Sequence, residues 1–226
     1  MSIAVGLSGC NYNKKVDLVD ELKSQYEKET VFRSWEFDEA AGKTGAEVLG
    51  DSYVEGTGFL TDGEGYLCSV KEGTTLGTSP SWSSSRAPYD LGIPANHVLE
   101  MKVVITSGIA VLRTSHAIYC DIQLVSSNNE GEGGVYAYKS GAEWGGQGGL
   151  TVKPGEEYIL SVRYEKVAEA PAGAEGADQW GVYNVYFYVN NELVLTLENT
   201  QSAGPAASIG LLVSDNSNVK FDYLRI

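Results

Sequence analysis

The chain is poor in cysteine, histidine and proline, with three, two and six in 226 residues. Three cysteines cannot all pair within one chain, and none of them forms a CxxC. His97 and His116 are too few for a histidine-rich metal centre, and no paired cysteines supplement them. Basic residues are scarce: 16 Lys and Arg stand against 30 Asp and Glu, a formal net charge of −14. Without a Lys/Arg cluster, nothing matches the needs of a phosphate-defined partner, and nucleic acid is excluded as the expected ligand. No stretch is long enough to span a bilayer, and no Asn-x-Ser/Thr sequon occurs. A nucleophile elbow, a glycine-rich phosphate loop and an HExxH are all missing. What is present is 27 glycines, 14 tyrosines, four tryptophans and 42% hydrophobic residues. That suits one acidic, β-rich domain of about 200 residues, with many short strands and tight turns.

Met1 to Gly9 is apolar and small and runs into Leu7-Ser8-Gly9-Cys10, which resembles the lipobox of bacterial lipoproteins. The resemblance implies acylation of Cys10, although no basic segment precedes the box. Residues 1–12 then read as a signal remnant or tether. Residues 13–30 (NKKVDLVDELKSQYEKET) predict a helix, because Val16, Val19, Leu22 and Tyr26 recur at spacings of three and four. Asp17, Asp20 and Glu21 suit the positive end of its dipole. About four turns are not stable alone in water, so the stripe must lie on the sheet domain or on neighbouring protein subunits.

From Val31 onward the dominant period is two, and residues 31–226 predict an all-β domain, an antiparallel sandwich or jelly roll of ten to twelve strands. Strands are expected at VFRSWEF (31–37), 50–60, 65–70, 97–106, 117–125, 135–139, 158–166, 182–189, 192–197, 208–214 and 219–226. Asp62-Gly63 and Asn190-Asn191 mark hairpin turns. Residues 71–96 lack periodicity and read as a long loop carrying Trp82 and Arg86. The insert AEAPAGAEG (168–176) reads as an exposed loop.

The order Tyr188-Val189-Asn190-Asn191-Glu192-Leu193-Val194, then Ile209-Gly210-Leu211, then Val219-Lys220-Phe221-Asp222-Tyr223-Leu224-Arg225-Ile226 resembles the closing hairpin and strands of the concanavalin A-like lectin/glucanase superfamily. Laminin-G-like and sugar-binding jelly-roll modules are the nearest in pattern, with Asn191 where glycine is usual. The resemblance implies a fold that serves lectins, hydrolases, lyases and plain structural domains alike.

Hydrolysis of a glycoside needs two carboxylates across a cleft. The Glu-x-Asp-x-x-Glu strand of the retaining glucanases is missing, and the nearest alternation is Glu36 with Asp38. Jelly-roll lyases resemble a scheme of His, Tyr, Arg and Gln on one sheet; Arg113, His116, Tyr119, Asp121 and Gln123 hold similar types without matching the motifs. No catalytic set is assigned. Oxygen-rich turns, chiefly Asp215, Asn216 and Asn218, could hold a structural calcium ion or be ordinary turns; no other cofactor is implied.

Binding is the stronger reading. Sugar rings stack on flat aromatics, and Trp82, Trp144 and Trp180 sit in or beside expected loops, each either closing the core edge or meeting a ligand. On the strand 182–189, Tyr186 and Tyr188 share the face opposite Tyr183, Val185 and Phe187. That face is either an aromatic binding surface or is covered by the helix. The expectation is a non-catalytic module for polysaccharide or glycan at a cell surface, with ligand residues Trp82, Arg86, Trp144, Trp180, Tyr186 and Tyr188. The alternatives are a structural domain of a surface or virion assembly, or a hydrolase or lyase.

Overall fold

Alternating burial, the signature of strands with one face in a core, governs the long segments of the chain. The computed structural model describes residues 33–50, 54–55, 59–69, 82–86, 95–115, 119–127, 133–139, 147–148, 150–174, 181–201, 208–214 and 217–226. Fifteen strands occur among them: β1 (Ser34–Glu36), β2 (Val54–Glu55), β3 (Phe59–Thr61), β4 (Leu67–Ser69), β5 (Trp82–Arg86), β6 (His97–Ser107), β7 (Ile109–Ser115) and β8 (Tyr119–Val125), then β9 (Gly134–Lys139), β10 (Gln147–Gly148), β11 (Glu157–Ala168), β12 (Val182–Val189), β13 (Glu192–Gln201), β14 (Ser208–Ser214) and β15 (Asn218–Arg225). They build two antiparallel sheets. One has eight strands in the order β13-β12-β11-β6-β15-β4-β3, with β1 also paired to β15; the other runs β10-β9-β8-β7-β14-β5-β2.

The inner faces meet in one core. From the eight-stranded sheet come Leu99, Met101, Val103 and Ile105 of β6, Leu160 and Val162 of β11, and Val185 and Phe187 of β12. Ala110 and Leu112 of β7, Ile122 and Leu124 of β8, and Ile209, Leu211 and Val213 of β14 come from the other. The Thr114 and Tyr164 hydroxyls meet across the layers, and Phe59 stands edge-on to Phe221 at 5.4 Å. Burial of this apolar surface is the dominant stabilising term.

The chain changes sheets at Gly108, between β6 and β7, with φ +84°. A Cβ there would lie 2.1 Å from Ser217 Oγ and 2.7 Å from its Cα, so only glycine fits. The Ile109 amide donates to Ser217 Oγ, and Ser69 Oγ donates to the Ser217 carbonyl, tying four strands at this corner.

The all-β sandwich stands as the sequence predicts, with several differences, β10 at Gln147–Gly148 being a strand where none was expected. Residues 50–60 form two strands in different sheets, β2 and β3, rather than one. The expected loop 71–96 contains a strand, β5, held by pairing with β14 and β2 although WSSSR has no apolar alternation. β7 was not expected at all. Among the described residues the one helix is α1 (Gly45–Leu49), started by a capping box between Thr44 and Glu47 and closed by Gly50 at φ 87°. The predicted helix 13–30 lies outside the described residues. The predicted turns form: Asp62 Oδ1 accepts from the Glu64 and Tyr66 amides, and Asn190 and Asn191 take φ 50° and 66°.

Candidate functional site

The two outer faces of the sandwich differ in kind. On the eight-stranded sheet the outer residues form a polar mesh in which Tyr223 and Ser161 are themselves buried. Lys102 bonds Glu157 at 2.9 Å and Asp222 at 2.7 Å, Tyr223 donates to Glu100 at 2.7 Å, and Arg225 bonds Glu36 at 3.2 Å. Burial and the Glu100 carboxylate push the Tyr223 phenol well above its ordinary pKa.

The outer face of the seven-stranded sheet has a buried floor instead. Val111 and Leu212 are buried there yet stand apart from the central core. Strand register aligns the floor into two rows. Glu55, Ser84, Leu212, Val111, Gln123, Tyr136 and Gln147 face one another strand by strand. Beside them run Arg86, Gly210, Arg113, Asp121 and Tyr138.

At the centre, Arg113 of β7 forks onto Asp121 of β8, Nε to Oδ1 at 2.8 Å and Nη2 to Oδ2 at 2.7 Å. The strands pair these two residues directly. Asp121 is wholly buried, whereas the Arg113 side chain is 34% exposed. Burial pushes the Asp121 carboxyl up; the Arg113 fork and a hydrogen bond from Gln123 pull it down without fully offsetting that rise. Gln123 is buried two residues along the same strand, and Tyr136 is half-buried beside it on β9. Chemically this is a largely buried patch of planar donors and acceptors beside apolar side chains.

The residues expected to bind ligand do not gather there as a set. Trp82 and Arg86 lie on β5, Arg86 in the row of Arg113. Tyr186 and Tyr188 lie on β12, on the outer face of the opposite sheet. Both are half-buried; the Arg163 guanidinium covers the Tyr186 ring at 5.6 Å, and Tyr186 donates to Glu165 at 2.8 Å. Trp144, Trp180, Asp215, Asn216, Cys10 and His116 lie outside the described residues. Asn218 opens β15 and is exposed. Among the described residues no three His, Cys, Asp or Glu side chains gather in a way that could hold a metal ion. His97 is buried in a stack on Tyr164 at 4.7 Å. Glu36 is bonded to Arg225 at the sheet edge. Sequence reading set Arg113, Asp121 and Gln123 together only as residue types similar to a lyase scheme and missed the Arg113–Asp121 pairing, because β7 went unseen.

No protein-family model and no curated protein matches the sequence. Solved structures do match in fold. The metal-free carbohydrate recognition domain of Emp46p aligns at TM-score 0.52 and 9% identity, over 84% of this chain and 94% of that one. The Bacillus licheniformis β-glucanase aligns at 0.52 and 8%, over 85% and 96%. A β-1,3-glucanase from Mycobacterium marinum aligns at 0.50 and 13%, over 87% and 98%.

Proposed function

We propose that this concanavalin A-like jelly roll engages a polysaccharide or glycan across the outer face of its seven-stranded sheet, on the floor around Arg113, Asp121, Gln123 and Tyr136. The observation that carries the reading is the fully buried Asp121 carboxylate forked by Arg113, whose side chain is partly exposed on that face. A guanidinium, an amide and a phenol are the groups that form directional hydrogen bonds to hydroxyls. The likeness in fold to a carbohydrate recognition domain and two glucanases supports the same ligand class. An extracellular or surface setting goes with this reading, with Cys10 acylation and attachment to neighbouring subunits through residues 13–30 as separate proposals.

A second reading is cleavage of the bound glycan. It is favoured by the position of Asp121 in the alternation Tyr119, Asp121, Gln123 on β8, the kind of strand on which retaining glucanases carry their acids. Paired-carboxylate hydrolysis requires a second acid across the cleft. Elimination from a uronate requires a cation to neutralise the sugar carboxylate, and Arg113 already serves Asp121.

Retention of the chain on a panel of insoluble polysaccharides tests binding. Arg113→Ala and Gln123→Ala are expected to weaken retention about tenfold each, while Tyr188→Ala leaves it unchanged. Retention that survives Arg113→Ala and is lost with Tyr188→Ala moves the site to the opposite sheet. Release of reducing ends from the retained polysaccharide would establish cleavage.

A further inference from the structure

We infer that β13 is a strand-addition edge, and that it takes an extended apolar segment flanked by basic residues from a protein partner. The inference stands apart from the glycan reading, because β13 belongs to the sheet opposite Arg113.

Three observations carry it. The first is length. Among the described residues the strands at the sheet margins are β1, β2, β3, β10 and β13. Four of them have two or three residues, and short edges are one way in which β-sheets avoid pairing with other chains. β13 has ten. Its sequence, ELVLTLENTQ, contains no Pro, Lys or Arg to discourage a further strand. Leu195, Thr196 and Leu197 keep regular register on β12.

The second is burial. On β12, Val185 and Phe187 are fully buried, whereas their β13 partners Leu197 and Leu195 pack on the core only half-buried. Leu193, opposite Tyr188, is 55% exposed, the highest value for a large hydrophobic among the described residues. The apolar margin of the sandwich is therefore open along β13. One more strand would cover it as β13 covers β12.

The third is charge, which selects the occupant. Glu192 and Glu198 are exposed and bracket the uncharged run LVLTL, about 20 Å apart at the rise of a strand. Neither forms an ion pair among the described residues, whereas Lys102, Lys166, Lys220 and Arg225 of the same sheet are each bonded to a carboxylate. A second copy of this chain would bring its own two glutamates and a net charge of −14 to that edge. A segment with Lys or Arg on either side of alternating apolar residues is attracted instead. Backbone hydrogen bonds along the open edge then supply affinity, and the flanking charges fix register.

The experiment measures binding of the full chain to three peptides, KTVTVTK, ETVTVTE and KTVPVTK, by calorimetry and by amide hydrogen exchange. KTVTVTK is expected to bind about tenfold more tightly than ETVTVTE, with a margin that narrows as salt rises. It is also expected to raise amide protection within residues 192–201. KTVPVTK, whose central proline disfavours a paired strand, is expected to bind at least about tenfold more weakly than KTVTVTK. The double variant Glu192→Lys, Glu198→Lys is expected to reverse the order of the first two peptides by about tenfold and to leave polysaccharide retention unchanged. Equal affinity for KTVTVTK and ETVTVTE overturns the basic partner. Equal affinity for KTVTVTK and KTVPVTK, or protection gained only outside β13, overturns strand addition. Binding of none of the peptides overturns the inference as a whole. Self-association of the wild-type chain with protection at residues 192–201 overturns the occupant and gives the edge to a second copy. The peptide comparison on the wild-type chain needs no variant, so the inference remains decidable if the double variant fails to fold.

Discussion

At the scale of single residues, the Arg113–Asp121 pair is the feature for which the sandwich core has no use. A carboxylate taken wholly out of water loses several kcal/mol of hydration, and a buried ion pair is weak evidence of stability for its own sake. Its place on an outer face, with the Arg113 side chain partly exposed, fits a ligand contact better than a structural brace. The two residues were legible one at a time and not as a pair, for a physical reason. β7 reads Ile109-Ala110-Val111-Leu112 and β14 reads Leu211-Leu212-Val213 without alternation, because both faces of these strands are buried. A half-solvated strand announces itself by period two; a strand covered on both sides does not. Unbroken apolar runs inside an otherwise alternating β domain were thus the signal that one outer face is buried. Gly108 offers a separate test of the architecture at this scale. Gly108→Ala forces a Cβ into Ser217 at a positive φ and is expected to lower unfolding stability by about 2–4 kcal/mol in urea titration. A change within about 0.5 kcal/mol would contradict the corner described here.

Individual elements show where tertiary pairing overrides local pattern. Trp82–Arg86 has three consecutive serines and no apolar stripe, and it becomes a strand because β14 and β2 offer ladders on both sides. The hairpins, by contrast, were legible from turn chemistry alone. Asp62 closes the β3–β4 connection by accepting two backbone amides, and it also bonds Lys220 of β15 at 3.1 Å. Burial pushes its carboxyl up, but these bonds outweigh burial and hold it below the ordinary aspartate value. A folded pKa below the unfolded one means that the stabilisation is fully present above the unfolded pKa. It fades as pH falls through the folded value. Asp62→Asn should therefore cost about 1 kcal/mol at neutral pH and flatten the acid limb of the stability profile. Thermal melts from pH 7 to about pH 2 check this; a variant that keeps the wild-type acid slope would assign that slope to other carboxylates.

For the whole molecule, the closing order of strands fixed the architecture at sequence level, since Val189-Asn190-Asn191-Glu192 and the final strand from Val219 lie where that order requires. The site was less legible, because a sandwich has two outer faces and sequence periodicity does not say which of them is recessed. Aromatic counting pointed to Tyr186 and Tyr188, whose sheet presents a mesh of ion pairs, with the Tyr186 ring covered by Arg163. Burial of the aliphatic Val111 and Leu212 and of the charged Asp121 on its non-core side pointed instead to the seven-stranded face.

The most direct test is a crystal structure of the full chain with a bound laminarin oligosaccharide. The account predicts sugar density on the outer face of the seven-stranded sheet, with a ring hydroxyl hydrogen-bonded to Arg113 and a neighbouring ring against Gln123 and Tyr136. Sugar seated on the eight-stranded sheet beside Tyr186 and Tyr188, with the Arg113 floor unoccupied, would contradict it.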